Sequence, residues 1–502
     1  MSFEPGRRSF EDYPDALDIE ADVCVIGAGA GGCAAACAIA ESGLEVAVVE
    51  EGRHWRPADF RPDDPPWALS HLYQEKGSRA AFGNGVILVN GGRGVGGSTL
   101  LNSAICFKTP RPILEDWASR DLPTVAPEAF EPLLDRVWNT IGVVQNPPAI
   151  QRTNNLIFKE GAEALGLKGD FLWRNAPGCV GCGVCQLGCP SGGKNSVDRT
   201  FLSLAIGTGR CGVYADCRVE VAETEGGQVV AIGGSTLSPD GYTPAGTFRV
   251  RAKQFLVSGG PVGSPRFLMR NELSASAHLG QHLHLHPALG FIGHFQKEVV
   301  PWDGVSQGYY VDRWERGYLL QTATAPPDQL FALLPLKLGP EIMGVMGEAR
   351  RLALAGVLVH DEDSVGSVNE LAMLYSLGGM DRQRLLLGVR EGLRVYFAAG
   401  ADYVVPAIAG VGRIRDPDEI DARIPLDIPA RELVGIASHP MGTCRMASSI
   451  DEGVVDARGR VFGWDNLFVA DASVFPSSLG VNPQVTVMAM GLMVGAGMAA
   501  QA

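Results

Sequence analysis

No run of about 18 consecutive apolar residues occurs in this 502-residue chain, so no membrane-spanning helix is expected. The opening stretch, MSFEPGRRSFEDYPDALDIE, lacks the apolar core of a secretory leader. The default reading is therefore a cytoplasmic, reducing location, with peripheral membrane contact the only membrane association left open. An excess of positive charge is missing too. The formal charge is −14, which argues against nucleic acid as a partner. No internal repeat is evident. Apolar content of 46% and charged content of 20% are ordinary for a globular protein, and the length calls for two or three domains. Eleven cysteines in a reducing compartment read as thiols or metal ligands rather than disulfides.

The chain is organised around Ala21–Gly52. The run Val23–Ile26 reads as a buried strand, and Gly-x-Gly-x-x-Gly follows at Gly27, Gly29 and Gly32. An alanine-rich helix then runs to about Ser42, and a second strand, Val46–Val49, ends at Glu50. Gly27 suits the tight turn, Gly29 the approach of a pyrophosphate, and Gly32 close helix–strand packing. The helix N-terminus offers free N–H groups to phosphates, and Glu50 can accept from a ribose. This unit predicts a doubly wound α/β domain that binds a dinucleotide, without distinguishing FAD from a nicotinamide cofactor.

Further glycines crowd Asn90–Asn102, where Gly97, Ser98 and Asn102 read as backbone and side chains lying against a flat or bulky group. Residues 111–175 read as amphipathic helices, with Leu114, Trp117, Phe130, Leu133, Leu134 and Val137 as the buried stripe. Segments Val213–Glu223 and Gln228–Ile232 suggest a hairpin, and Phe248–Val257 a return strand. Between 288 and 430 strand-like pieces alternate with a helix at Asp381–Phe397, the pattern of a separate α+β substrate domain. Leu330–Met346 is rich in Leu and Met but broken by Pro335, Gly339 and Pro340, fitting core, pocket lining, lid or membrane contact.

The C-terminal region carries Ser438-His439-Pro440-Met441-Gly442, then Asn466–Pro476 and Gly480-Val481-Asn482-Pro483-Gln484. With 22–52, 90–102 and Gly263-Ser264-Pro265, these stretches closely resemble the glucose–methanol–choline (GMC) oxidoreductases. That resemblance implies a Rossmann-like FAD-binding domain assembled from 15–110, 200–287 and 431–502. It would be joined through a helical and cysteine-rich connector, 111–199, to the substrate domain at 288–430. It implies His439 and Asn482 as the catalytic pair. It also implies Val219, Asp471, Pro483 and Gln484 as cofactor contacts beside the glycines, Glu50, Ser98 and Asn102. The residues agree with that chemistry, since an alcohol giving hydride to flavin must lose its hydroxyl proton, which a histidine can accept. Leu101 stands where some members attach FAD through histidine, so the expectation is non-covalent FAD.

Cys179, Cys182, Cys185 and Cys189 follow Cys-x2-Cys-x2-Cys-x3-Cys-Pro, the spacing of a bacterial ferredoxin run. Flavin sugar dehydrogenases of the family that hold a cluster show a similar spacing, matched by Cys179, Cys185 and Cys189. Related long-chain alcohol oxidases carry cysteine-rich sequence with no cluster implied. An iron–sulfur cluster, zinc and plain structural thiols or a disulfide all remain open from sequence. His282, His284 and His286 alternate, which on a strand would put all three on one side; a structural role is the stronger reading. Together these features predict oxidation of an alcohol, apolar by the composition of 330–358, with His439 as base. O₂, a quinone or an acceptor protein would take the electrons. The alternatives are a dehydrogenase wired through a cluster at Cys179–Cys189, and the light-driven fatty-acid decarboxylation found in one branch of the fold.

Overall fold

The computed structural model describes residues 3–327, 330, 335 and 340–501. The predicted first unit forms as expected. Strand Ala16–Ile26 leads into helix Ala30–Glu41, and strand Val46–Val49 returns parallel to the first, pairing Val23 with Val46 and Ile26 with Val49. The first sheet continues outward through Cys211–Tyr214 to Gly6–Arg8 on one side. On the other side lie Pro244–Val257, Gln228–Leu237 and Cys217–Glu225, with Leu467–Val469 pairing along Pro244–Val257. Its central strands are buried on both faces, every residue of Val23–Ile26 and Val46–Val49 being shielded from solvent. The C-terminal helix Gln484–Ala499 packs on Ala30–Glu41 at very short range. A β-carbon on Gly491 would lie 2.3 Å from the Gly31 carbonyl, and one on Gly495 2.6 Å from that of Ala35.

One predicted hairpin divides. Val213 belongs to the parallel strand Cys211–Tyr214, and the hairpin proper pairs Cys217–Glu225 with Gln228–Leu237. The break lies at Asp216, whose positive φ of 56° turns the chain from one strand into the other.

The second sheet is larger and mostly antiparallel, and helix Gly379–Ala398 packs across it. Its strands within 288–430 include Ala288–His294, Tyr318–Thr322, Leu352–Val359 and Met373–Ser376. The sheet also takes Ala80–Phe82, Val86–Val89, Gly169–Phe171 and Gly435–Ala437 from the flanking segments. The pairing of Gly435–Ala437 with Val86–Val89 matters most, because it carries the chain into His439. Helices Arg111–Ser119, Pro127–Thr140 and Arg152–Ala164 form the connector, with Leu114, Trp117, Phe130, Leu134 and Val137 buried. Most of Leu330–Met346 lies outside the described residues. No described helix is long and apolar enough to cross a membrane.

Candidate active site

The glycine turn behaves as its spacing demands. Gly27 has a φ of 104°, and a β-carbon there would lie 2.4 Å from the Ser258 carbonyl oxygen; one on Gly32 would lie 2.1 Å from the Gly27 carbonyl. A β-carbon on Gly29 would meet nothing within 4 Å, so the backbone there is open to a ligand. The helix beginning at Ala30 has no side-chain cap, which leaves its first N–H groups available to phosphate oxygens. Gly97 of the second glycine-rich loop lies directly opposite, a β-carbon on it falling 2.9 Å from Gly29 Cα. Ser98 beside it is exposed, its hydroxyl accepting from the Gly92 N–H at 2.9 Å. These features fit a dinucleotide laid along two backbone loops.

Two carboxylates tie that cradle together. Glu50 is buried and accepts from the N–H groups of Ala28 (2.9 Å), Gly52 (2.9 Å) and Gly94 (3.2 Å), joining the first turn to the second loop. Burial, with Glu51 nearby, pushes its pKa up to about 7 against the pull of the Ala28 and Gly52 N–H groups. Asp471 is likewise buried, and burial raises its pKa. It accepts from Ser264 (2.5 Å), the Gly260 N–H (3.0 Å) and the Ser473 N–H (2.7 Å), so the structure gives its oxygens internal partners. Val219 is half-buried two residues beyond Cys217, whose N–H donates to the Glu50 carbonyl. That places Val219 at the Glu50 end of the cradle.

At the other end, Asn102 donates to Gln484 Oε1 at 2.9 Å, and Gln484 Nε2 donates to the Ile105 carbonyl at 2.6 Å. These bonds pin the Gly97–Asn102 block to the start of the C-terminal helix, which has no side-chain cap after Pro483. Just before it stands Asn482, whose Nδ2 lies 3.3 Å from Nε2 of His439. The two catalytic candidates, 43 positions apart in sequence, thus meet. Burial draws the His439 pKa down to about 4, so the ring is neutral at physiological pH.

Two further side chains complete this corner. Gln321, on the second sheet, donates through Nε2 to Asn482 Oδ1 at 2.9 Å. His286, fully buried, has Nδ1 3.4 Å from Nδ1 of His439. Neither was marked by sequence for this role, and no local pattern flags Gln321. His286 was visible only as the last of three alternating histidines. Those three do not share one side of a strand. His282 and His286 have positive φ, 61° and 50°, which breaks the alternation. His282 meets His278 (2.9 Å) and Arg445 (3.4 Å), His284 lies 3.8 Å from Asp361, and His286 turns to His439.

The expectation of an iron–sulfur cluster or zinc at Cys179, Cys182, Cys185 and Cys189 is not supported. Among the described residues no three His, Cys, Asp or Glu side chains gather as metal ligands, and all four thiols are free. Ligand sulfurs must converge on one centre. Here the buried guanidinium of Arg174 reaches Cys179 Sγ (3.5 Å) with Nη1 and Cys185 Sγ (3.4 Å) with Nη2. Cys189 Sγ instead accepts from the Lys194 N–H at 3.3 Å, and Cys182 is exposed. Arg174 and Lys194 turn this loop toward the cradle. Arg174 Nε donates to the Ser103 carbonyl (2.9 Å), and Lys194 Nζ to the carbonyls of Leu100 (2.8 Å) and Asn102 (2.9 Å).

Comparison with known proteins gives these contacts a setting. Models of the GMC oxidoreductase family match residues 69–288 and 368–491, and an FAD binding domain model matches 22–58. An uncharacterized GMC-type oxidoreductase of Mycobacterium tuberculosis is 34% identical over 483 residues, covering 94% of this chain and 75% of that protein. A long-chain-alcohol oxidase of Arabidopsis thaliana is 30% identical over 507 residues, covering 94% of this chain and 67% of its own length. Among solved structures, pyridoxine 4-oxidase from Mesorbium loti matches with a TM-score of 0.72 at 18% identity, over 95% of this chain and 98% of that one. A variant of Aspergillus oryzae formate oxidase matches at 0.71 and 14%, over 96% and 98%. At these identities the two structures speak for the fold.

Proposed function

The chain belongs to the GMC oxidoreductase family, and on that premise we propose that it oxidises an apolar alcohol to the aldehyde or ketone. The observation that carries this reading is the meeting of His439 Nε2 and Asn482 Nδ2 at 3.3 Å, beside the uncapped start of the C-terminal helix. Two polar atoms so placed can hold one alcohol oxygen between them. Bound non-covalently, FAD supplies the hydride acceptor for the carbinol carbon. The residues that would hold FAD are Gly27, Gly29, Gly32 and Glu50 at one end, and Gly97, Ser98, Asn102 and the Pro483–Gln484 turn at the other. The N–H groups that open the C-terminal helix can offset negative charge arising near them. Asn482 is kept in register by Gln321, so part of the oxygen's orientation comes from the second sheet. His439, kept neutral because burial draws its pKa down, can accept the hydroxyl proton as hydride leaves the carbinol carbon, while Asn482 holds the oxygen in register.

The apolar substrate class rests on the Leu-, Met- and Ala-rich composition of 330–358 and on the likeness to a long-chain-alcohol oxidase. The names of the oxidase relatives favour O₂ as the electron acceptor over a protein or quinone carrier. The test is to give purified, flavin-loaded protein a series of alcohols from ethanol to hexadecanol in the dark. Hydrogen peroxide should form, and its rate should rise with chain length. Faster turnover on sugars than on any alkanol would overturn the apolar class. Reduction of a dye without peroxide would overturn the acceptor.

A further inference from the structure

The side-chain amide of Asn482 has two unlike edges, and its neighbours decide which edge faces the reacting oxygen. Oδ1 accepts and Nδ2 donates, and a half-turn about one side-chain bond exchanges them. On one side stands His439, its Nε2 3.3 Å from Nδ2. On the other, Gln321 Nε2 donates to Oδ1 at 2.9 Å. A base must present a lone pair, and burial keeps the His439 ring neutral, drawing its pKa down to about 4 against the opposing influence of Asp361. A lone pair is met by an N–H edge. The amide therefore suits the base only with Oδ1 turned away toward a donor, and Gln321 is that donor.

Gln321 is itself fixed by the second sheet. It is buried on the strand Tyr318–Thr322, which lies between Tyr309–Arg313 and Leu352–Val359. In register it stands between Tyr310 and Gly356, so from the Gly356 side no side chain competes for its amide. The contact joins residues 161 positions apart and crosses from the substrate domain to the start of the C-terminal helix.

We propose that Gln321 is a positioning residue that selects the donor edge of the Asn482 amide for the substrate oxygen. This rests on the alcohol-oxidation reading, and Gln321 acts in it through Asn482. The hydroxyl proton passes to Nε2 of His439, and the carbinol C–H leaves as hydride to FAD. The oxygen carries developing negative charge until the carbonyl forms. An N–H edge stabilises that charge, and a carbonyl edge would repel it.

The test compares wild-type holoenzyme with Gln321→Leu and Gln321→Glu. Each is mixed with hexadecanol in the dark without oxygen, and flavin bleaching is followed from about pH 5 to about pH 9, where His439 stays neutral. Leu offers Asn482 no donor, so the amide divides between its two orientations and bleaching should slow about tenfold. An ionised Glu accepts from Nδ2 and turns Oδ1 toward the substrate, which should slow bleaching by about 100-fold or more. A protonated Glu donates to Oδ1 instead, so this variant should recover toward the wild-type rate as pH falls. A merely structural role would slow both variants alike and give no such recovery. Equal rates in all three proteins, or a Glu variant equally slow at every pH, would overturn the proposal.

The amide orientation is also read without alcohol, by proton cross-relaxation in the holoenzyme. The Asn482 NH2 protons, identified by their loss in Asn482→Asp, should relax with the ring carbon protons of His439, identified by their loss in His439→Asn. That transfer should be present in the wild type and lost in Gln321→Glu at about pH 9. Its absence from the wild type, or its persistence in the variant, would overturn the proposal even where hexadecanol bleaches the flavin. If no alcohol bleaches the wild type, the alcohol reading fails and the cross-relaxation alone decides the role of Gln321.

Discussion

The two ends of the candidate site are held by different chemistry. At the cofactor cradle the organising groups are buried ionisable side chains acting on backbone. Glu50 gathers three N–H groups, and Lys194 and Arg174 gather the carbonyls of Leu100, Asn102 and Ser103. At the catalytic corner the groups are neutral and act on one another: His286 on His439, and Gln321 on Asn482. Such groups suit the first task, since each offers several acceptor or donor sites that can bind several peptide groups at once and so fix loops that have no regular structure. Neutral, directional groups suit the second, where the oxygen of the proposed substrate would need defined partners rather than a strong fixed field. The cradle should therefore be sensitive in stability and cofactor retention, and the corner in rate.

Removing a cradle charge is the strongest way to break that contrast. Arg174→Met keeps the length of the side chain but leaves the Ser103 carbonyl and Asn146 Oδ1 without their buried donor. We expect a loss of about 3–5 kcal/mol and weaker FAD retention, read by urea unfolding and by flavin release. A loss below about 1 kcal/mol would mean that the guanidinium does not organise the loop.

Glu50 sharpens the contrast through pH. Its pKa is raised from 4.5 to about 7 in the folded protein, so the fold binds this proton more tightly than the unfolded chain does. The associated stability is complete below 4.5 and is lost as pH rises through about 7, by roughly 3 kcal/mol in the apoprotein. Glu50→Gln should flatten that slope in urea titrations across this window. An equal slope in the variant would remove Glu50 as its source.

The smallest expected effect is at Cys182, which is exposed and takes no part in the contacts of Arg174 and Lys194 with the loop. Cys182→Ser should change stability by no more than about 0.5 kcal/mol and leave the flavin spectrum as it was. Loss of a brown chromophore, or a large destabilisation, would restore the cluster reading of these cysteines.

What could be read from sequence follows the same division. The Gly27–Glu50 unit is contiguous, and each glycine answers to a steric demand only a few residues away, so its fold and ligand type were legible. His439 and Asn482 were legible through family resemblance, because their meeting depends on the pairing of Gly435–Ala437 with Val86–Val89 and on the start of the last helix. Gln321 and Arg174 carry no local signature; each acts across more than 70 positions of sequence. The regular spacings alone did not settle roles that backbone and a cation shape. Positive φ at His282 and His286 turns the histidines apart, in keeping with the structural reading, and Arg174 lies against two of the cysteines that sequence left open, Cys179 and Cys185.

The central claim is that His439 and Asn482 hold the oxygen of an alcohol whose carbon reduces FAD. It is tested most directly by mixing hexadecanol with flavin-loaded wild type and His439→Ala under anaerobic, dark conditions and following loss of the oxidised flavin colour. Rapid bleaching of the wild type is expected. His439→Ala should keep its yellow FAD and bleach about 100- to 1,000-fold more slowly. Bleaching of the variant at near the wild-type rate would contradict the account.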